Sequence, residues 1–406
     1  MYRDKRTEID YHPVLPVELM RPIIQNLVGD ISTLYALTLT CWTTHSDAEK
    51  LLYRCMNRYN WRTQIDFFRK ITDRPHYALL VEVIYVLPRP FQWDPDELQK
   101  TLTLALRHTV NLKEFRDGCF EDSLRPLLEP ELPIFRLESF FFHHASGIGQ
   151  FNVLFQFLLS QPGLLRLSIE LEPNIIIFRQ IMDSLNLCSA RIAPKLQFLR
   201  GNLAMIVLFL RGRNITALDW EPTSLFEDGK SYLDPIFSFH VEPHLGHLKY
   251  LCLRRYAYSR QRLPLKHIVQ HLHNLEYIDL PDFQVRFCTP MPSRSLNSQP
   301  LSQPIETRAL EFIPSLRGLA ITGISTPNTT QPDFSHTALV KVVFSECSHI
   351  ELVVIEVRSS YQMLGGREFQ IWRRHNLYDS DYELPPIILV SIFELAMHNI
   401  FELLPI

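Results

Sequence analysis

The sequence predicts a mixed α/β fold in which a small N-terminal helical unit is followed by an irregular α/β solenoid. Two patterns carry this prediction. In the first 60 residues, apolar side chains recur at the spacing of a helix, and from residue 112 onward a short apolar motif returns nine times. The chain has 406 residues and 46% of them are hydrophobic, which is enough apolar material to bury a sizeable core.

The N-terminal unit is predicted to contain three short helices. Pro16 suits the first turn of the first helix, whereas Pro22 removes a backbone hydrogen bond and requires a kink or a later start. Asp30 or Ser32 can cap the second helix, and Ser46–Glu49 fits a capping box for the third. Because helices this short are marginal alone, the unit is expected to need a partner. Their apolar faces are Leu19, Ile23 and Leu27, then Leu34, Leu37 and Cys41, then Ala48, Leu51, Leu52 and Cys55.

The motif that follows has the form Leu-x-x-Leu-x-Leu, with large apolar substitutes allowed. Weaker copies begin at Leu112 and Leu196. Most steps between consecutive copies lie near the 20–29 residues of leucine-rich repeats. The clear copies are Leu137-x-x-Phe140-x-Phe142, Leu164-x-x-Leu167-x-Ile169, Ile215-x-x-Leu218-x-Trp220, Leu248-x-x-Leu251-x-Leu253, Leu275-x-x-Ile278-x-Leu280, Leu316-x-x-Leu319-x-Ile321 and Leu339-x-x-Val342-x-Phe344.

Helix-like stretches alternate with these predicted strands. A single strand and helix cannot bury their own apolar face, so neighbouring repeats must stack to close the core. The alternating motif then leaves its x positions facing solvent on one side of the sheet. An ordinary α/β or helical domain remains the alternative, because the Asn that usually follows the motif is missing. The helix-like stretches are Asp96–His108, Gln150–Leu159, Ile175–Leu187, Leu263–Leu272 and Ile305–Ile313.

These patterns divide the chain into four predicted parts. The helical unit covers residues 13–56, and linker helices over 57–95 join it to the repeats. The solenoid covers 96–356 and contains an exposed loop at about 284–304, whose Pro, Ser and Gln content cannot pack a core. Residues 357–406 break the repeat and are expected to cap the open end of the core.

Composition and charge narrow the function classes. The net charge of −3 argues against a nucleic-acid-binding surface. Only 13 glycines accompany 28 prolines, and few glycines means few phosphate-cradling loops, which disfavours a nucleotide-dependent enzyme. The seven cysteines are far apart and form no Cys-x-x-Cys pair, as is typical of a reducing compartment.

The two ends of the chain predict no targeting or membrane segment. Met1–Arg6 is charged and leads into no apolar run, so no secretory signal is expected. The apolar stretch Ile387–Phe393 is followed by Glu394, His398 and Glu402, which interrupt the ~20 apolar residues that a span requires. The expectation is a soluble protein of the cytoplasm, the nucleus or both.

The residues that could bind a metal or a cofactor, or act in catalysis, match no complete motif. The histidine groups are His143–His144, His244–His247 and His267–His271; the last could share a helix face, but no Glu completes a His-Glu-x-x-His motif. Gly147–Gly149 begins like a dinucleotide fingerprint, but its third glycine position is Asn152. No catalytic residue, metal site or cofactor is therefore predicted.

A series of residues in the first 56 follows the order of a known motif. The series is Leu15-Pro16-Val17-Glu18-Leu19, Ile23-Ile24, Leu27, Leu34, Leu37, Thr40-Cys41 and Ala48-x-x-Leu51-Leu52-Tyr53-Arg54. It resembles the F-box over residues 13–56, including the Leu-Leu-Tyr-Arg ending of many fungal members. The alternative is a generic three-helix cap on the solenoid.

The resemblance implies a non-catalytic role as the substrate receptor of an SCF-type cullin–RING ubiquitin ligase. The helices would bind the ligase's adaptor subunit and, through it, the cullin, and the repeats would hold an unknown target protein. The implied adaptor contacts are Leu15, Pro16, Glu18, Leu19, Ile23, Leu27, Leu34 and Leu37. The predicted target contacts, taken from x positions of the repeats, are Arg116, Ser168, Arg200, Asp219, Glu221, Arg254 and Asp279.

Two other functions stay open at this point. One is a repeat-type scaffold or binding protein without a ligase role, and the other is an enzyme whose site is not recognised. Neither nucleic acid nor a membrane is an expected partner.

Overall fold

The computed structural model describes residues 16–27, 30–40, 42–56, 61–87, 95–117, 135–145, 148–171, 191–220, 242–253, 269–280, 310–321, 336–357, 367–374 and 387–389. The chain divides into two compact units, Met1–Glu138 and Ser139–Ile406. Both contain strands and helices, and most strand pairs are parallel, so the prediction of a mixed α/β fold is confirmed. None of the helices in the described ranges is long and apolar enough to cross a membrane.

The first unit begins with helices and continues as a small parallel sheet in the order β1-β2-β3. Strand β2 and the two helices before it occupy the stretch predicted to be linker helices. The elements are α1 (Val17–Gln25), α2 (Ile31–Thr40), α3 (Trp42–Arg54), β1 (Cys55–Met56), α4 (Trp61–Asp73), α5 (Pro75–Ala78), β2 (Val83–Val86), α6 (Pro95–Leu106) and β3 (Glu114–Asp117).

A buried glutamine compensates for the shortness of β1, which pairs with β2 only at Val83 and Ile84. The Gln64 side chain on α4 is fully buried. Its Nε2 donates to the Tyr85 carbonyl (2.7 Å), and its Oε1 accepts from the Leu87 N–H (3.3 Å). One side-chain amide therefore bonds the end of β2 as a longer strand would.

The second unit is a single sheet in the order β4 to β13, with β4–β11 parallel and β11-β12-β13 antiparallel. Its helices lie between successive parallel strands along the chain. The elements are β4 (Ser139–Ala145), α7 (Ile148–Leu159), β5 (Arg166–Leu171), β6 (Phe198–Gly201), α8 (Leu203–Leu210), β7 (Ala217–Trp220), α9 (Glu242–Leu245), β8 (Tyr250–Leu253), β9 (Tyr277–Asp279), β10 (Gly318–Ile321), α10 (His336–Glu346), β11 (Leu352–Val357), β12 (Arg367–Arg373) and β13 (Ile387–Leu389).

Eight of the nine predicted motif copies are strands, and each of these strands begins two residues after the first residue of its motif. The central motif residues of the second unit pair in register and are all buried, so they form one continuous apolar row. This row is Phe140, Leu167, Leu199, Leu218, Leu251, Ile278, Leu319 and Val353.

The prediction of a strand for the ninth copy, which begins at Leu339, is wrong, because this copy lies within α10. Leu339 and Val343 are both buried there and lie four residues apart, as on one face of a helix. The apolar residues of this segment therefore fit the spacing of a helix as well as the alternation of a strand. The strand of this repeat is β11, whose motif runs from Ile350. A second undetected motif runs from Val81 into β2.

Four of the parallel strands are entered through the same pair of turns. In the repeat of Leu275, the Leu275 N–H donates to the Leu272 carbonyl (3.2 Å) and the Leu272 N–H to the Val269 carbonyl (3.1 Å). The same bonds occur six and three residues ahead of Leu112, Leu164 and Leu316. In these four repeats two further buried columns therefore precede the predicted motif, one apolar (Leu106, Leu158, Val269 and Leu310) and one mixed (Thr109, Gln161, Leu272 and Ile313).

Two arginines close the C-terminal ends of repeat helices. The guanidinium of Arg213 donates to the carbonyls of Phe209 (2.8 Å) and Ile192 (2.7 Å), and its Cζ lies 5.1 Å from the centroid of the Phe209 ring. Arg374 does the same for α10, with the Phe344 carbonyl at 2.8 Å and the ring centroid at 4.8 Å. Burial lowers the pKa of Arg213 to about 10, so it stays charged at neutral pH and suits the negative end of the helix dipole.

Candidate functional site

The three N-terminal helices pack around a small core. Ile24, Leu34 and Ala48 are buried at its centre, one from each helix. The remaining apolar side chains that pack against them are Leu27, Leu37, Leu51 and Leu52. These side chains recur at helical spacing, which explains why the sequence folds into three amphipathic helices at this point.

Polar contacts fix the ends and the mutual positions of these helices. Asp30 caps α2, as predicted, by accepting from the Thr33 N–H (3.1 Å). The Thr44 hydroxyl donates to the Leu37 carbonyl (3.1 Å) and so ties α3 to α2. The predicted capping box at Ser46–Glu49 is wrong, because α3 already begins at Trp42 and these residues lie inside it. The helix α1 includes Pro22 and runs without a break from Val17 to Gln25.

The pKa of Asp30 gives a first testable prediction. Hydrogen bonds from the Thr33 side chain, the Thr33 N–H and the Ser32 hydroxyl lower this pKa from 3.8 to about 2. A lowered pKa means that Asp30 stabilises the fold fully above about pH 4, and that this contribution disappears as the pH falls through 2. The variant Asp30→Asn keeps an acceptor but does not titrate. We expect the wild type to exceed this variant in thermal stability most at pH 5, and the gap measured by circular dichroism to shrink toward pH 2; a gap independent of pH would contradict the prediction.

The structure separates the predicted adaptor residues into exposed and packed groups. Leu19 and Ile23, one turn apart on α1, are 52% and 48% exposed, and Pro16 and Glu18 are also exposed. Leu34 is only 1% exposed, which corrects its prediction as a contact residue, because it has no free surface to offer. Leu27 and Leu37 are half-buried against the core, and Leu15 lies outside the described residues.

Three further apolar side chains are exposed on these helices and were not predicted. Tyr35 and Leu39, one turn apart on α2, are 60% and 71% exposed, and Trp42 at the start of α3 is 86% exposed. The signal that could have found them is the composition of α2, which carries apolar residues on every side and therefore cannot bury them all. We call Leu19, Ile23, Tyr35, Leu39 and Trp42 the exposed apolar set.

The other candidate surface is the second face of the sheet in the second unit. Residues at the x positions between the buried motif residues point to this face because side chains alternate along a strand. Strand pairing aligns them in one row, which we call the second-face row. The row is Phe141, Ser168, Arg200, Asp219, Cys252, Asp279 and Ala320.

This row is less exposed than the alternation predicts. Ser168 and Asp219 are only 2% and 1% exposed, so their prediction as solvent-facing target contacts is wrong. An apolar cluster on the same face comprises Phe198, Ala217 and Cys252, with Phe141 and Tyr250 packed against it. Strand pairing places Phe141 beside Ser168 and Cys252 beside Asp219, so these neighbours limit the access of water to both. Arg200 and Asp279 are half-buried.

The remaining predicted target contacts are distributed differently. Arg116 lies on β3 of the first unit, where it is half-buried and paired with Glu114. Glu221 and Arg254 lie outside the described residues. Of the predicted target contacts in the described part of the second unit, only Arg200 and Asp279 thus combine a charge with partial exposure.

Polar side chains on the second sheet face contact one another across neighbouring strands. The Nε of Arg200 lies 3.6 Å from the Asp219 Oδ2, which compensates the buried carboxylate. The Cys252 thiol lies 3.6 Å from the Asp279 Oδ2. On the same face, two residues before Ser168, Arg166 donates to the Ser139 hydroxyl at 2.6 Å.

Two stacked tyrosines lie beside this row. The rings of Tyr250 and Tyr277 are parallel within 5°, with centroids 5.3 Å apart. The Tyr277 ring occupies the space that a side chain at Gly318 would fill, which explains the glycine on β10. Burial, and then the neighbouring Tyr250, raises the pKa of Tyr277, so the Tyr277 ring stays neutral. Both rings are half-buried aromatic surfaces.

The chemistry of both surfaces suits contacts with a protein. The exposed apolar set offers large side chains for burial in an interface, and the second sheet face combines aromatic rings with paired charges. Among the described residues, no group of three or more His, Cys, Asp or Glu is placed to hold a metal ion. No protein-family model matches the chain, and a search of curated proteins found no similar protein.

Proposed function

We propose that the chain is the substrate receptor of an SCF-type cullin–RING ubiquitin ligase. In this proposal α1–α3 form an F-box that binds the adaptor subunit, and the second unit is a leucine-rich-repeat-like solenoid that binds a target protein. The chain contributes binding and not catalysis, because it raises the concentration of the target near a ubiquitin-charged partner.

The observation that carries the proposal is the exposed apolar set on helices whose sequence resembles the F-box. Five large apolar side chains, each about half exposed or more, lie on three short helices whose described core is centred on Ile24, Leu34 and Ala48. Exposure of this kind is costly for an isolated unit and is typical of a protein-binding surface. Burying a large apolar side chain contributes ~1.5–3 kcal/mol, so a few of them suffice for a specific complex.

The target-binding role has a different basis. The parallel sheet presents its second face along many neighbouring strands, as stacked repeats do. Partly exposed Arg200 and Asp279 give that face charges of both signs, and Tyr250 and Tyr277 add aromatic surface. A surface of this composition suits one particular protein better than a polymer of uniform charge.

Retention of the purified SCF adaptor subunit by the immobilised full-length chain tests the proposal. We expect the wild type to retain the adaptor, and the double variant Leu19→Ala/Ile23→Ala to weaken the affinity about tenfold, equivalent to ~1.4 kcal/mol. The matched control is Leu79→Ala, because this leucine is 49% exposed but lies outside α1–α3. It should bind as the wild type does.

The outcomes of this experiment separate the two functions. If the wild type fails to retain the adaptor, the receptor proposal is lost, and a repeat-type scaffold or binding protein without a ligase role takes its place. If Leu79→Ala weakens binding as much as the double variant, α1–α3 are not the binding surface.

A further inference from the structure

The residue immediately before each parallel strand occupies one structural row along the edge of the sheet. In the second unit the Glu276 N–H donates to the Lys249 carbonyl, the Arg317 N–H to the Glu276 carbonyl and the Glu351 N–H to the Arg317 carbonyl, each at 2.8 Å. These bonds make the four residues direct neighbours, one from each of four consecutive repeats. We call this position the pre-strand row. Before β5, β6 and β7 the row holds the uncharged residues Leu165, Gln197 and Thr216, so the charge pattern concerns the four repeats from β8 to β11.

The charges of the pre-strand row alternate in sign. Lys249, Glu276, Arg317 and Glu351 precede β8, β9, β10 and β11 as cation, anion, cation and anion. The Lys249 Nζ lies 3.0 Å from the Glu276 Oε1, so the first pair forms an ion pair.

The same alternation occurs in the first unit. Arg54, Glu82, Lys113 and Glu138 hold the equivalent positions, and their backbones are joined by hydrogen bonds of 2.9, 2.8 and 2.7 Å in that order. The Glu82 carboxylate pairs with both of its neighbours, the Arg54 Nε at 3.0 Å and the Lys113 Nζ at 3.4 Å. Two separate sets of four repeats therefore show one pattern.

The apolar motif by itself does not distinguish one repeat from the next. The copies at Leu248, Leu275 and Leu316 bury the same columns and enter their strands through closely similar turns. A chain that skipped a repeat, or paired with a repeat of another copy, would bury almost the same apolar surface. The charges of the pre-strand row do distinguish correct from skipped neighbours. In each set of four, adjacent residues carry opposite charges, whereas next-but-one neighbours carry like charges, as do Lys249 with Arg317 and Glu276 with Glu351.

We propose that the charges of the pre-strand row fix the order of the repeats within each of these two sets of four, because correct neighbours attract and skipped neighbours repel. Opposite charges on adjacent strands stabilise the pair, and like charges in the same place destabilise it by a similar amount. Repulsion between like charges therefore disfavours misordered stacking, a known hazard of repeat proteins. This inference is independent of the proposed ligase role.

Charge inversion of the full-length chain tests the proposal. The variant Glu276→Lys places three cations in succession and turns two attractive neighbours into repulsive ones. The variant Lys249→Glu/Glu276→Lys/Arg317→Glu/Glu351→Lys changes all four residues but restores the alternation. At low salt we expect the single inversion to raise the equilibrium constant of unfolding about tenfold and to lower the yield of correctly refolded chain, whereas the fourfold inversion stays close to the wild type.

Salt and a neutral variant complete the test. The deficit of Glu276→Lys should largely vanish in 1 M NaCl, where the screening length is about 3 Å. Glu276→Gln should fall between the wild type and Glu276→Lys. The proposal is overturned if the fourfold inversion is as unstable as the single one, or if the single inversion refolds and unfolds at low salt like the wild type. Urea unfolding followed by circular dichroism, with gel filtration of the refolded chains, supplies both readouts.

Discussion

Replacing Gln64 by leucine is expected to lower the free energy of unfolding by about 2–4 kcal/mol. The leucine fits the volume of the buried site, but it removes the amide that bonds the end of β2. The Tyr85 carbonyl then loses the amide as its donor and the Leu87 N–H loses it as its acceptor, and the loss of such hydrogen bonds from partly buried groups costs about 1–3 kcal/mol each. Urea unfolding of the full-length chain, followed by circular dichroism, measures the loss.

The variant Gln64→Glu tests the hydrogen bond to the Tyr85 carbonyl separately, because its stability depends on pH. A carboxylate at this site accepts from the Leu87 N–H but cannot donate to the Tyr85 carbonyl, whereas a protonated carboxyl group does both. Burial raises the pKa of such a glutamate in the folded state above its unfolded value. The variant is therefore most stable below about pH 4, and it loses stability as the pH rises through the raised pKa. A loss that is the same at pH 4 and pH 7 would mean that the donated hydrogen bond does not matter.

The strands could be predicted from the sequence because burial of a strand face leaves a local pattern. The fixed spacing of leucine, phenylalanine and isoleucine predicted eight strands, and each of them begins at the same position of its motif. The motifs that begin at Val81 and Ile350 were not predicted, because the residues at their motif positions are β-branched and include no leucine. Gln64, Arg213 and Arg374 could not have been predicted, since each acts on backbone groups that lie close only after folding.

The candidate surfaces were predicted less well, for a similar reason. Helical spacing correctly places Leu19 and Ile23 together on α1, but it does not show which apolar side of α2 faces the core. Leu34 is therefore buried, whereas Tyr35 and Leu39 are exposed. Strand alternation likewise assigns Ser168 and Asp219 to the second sheet face but contains no information about the aromatic side chains beside them.

The position of Gly201 shows how closely the sheet and its helices approach each other. Gly201 ends β6, and its motif position is occupied by large apolar residues in most other repeats, such as Ile169 and Trp220 on the adjacent strands. A Cβ atom at Gly201 would lie 2.7 Å from the Met205 Cβ and 2.8 Å from the Ile169 carbonyl oxygen. The helix α8 starts only two residues later, so its first turn occupies the space of the missing side chain.

Gly201→Ala is therefore expected to lower the free energy of unfolding by about 2–3 kcal/mol, because backbone must move to admit one methyl group. The matched control is Gly246→Ala, whose Cβ would lie 3.7 Å from the His271 carbonyl oxygen at ordinary contact distance. Fewer conformations of the unfolded chain favour alanine at both positions by a similar amount, so the difference between the variants isolates the clash. Urea unfolding of both variants in one buffer measures that difference, and equal stabilities would show that α8 can shift to accommodate the methyl group.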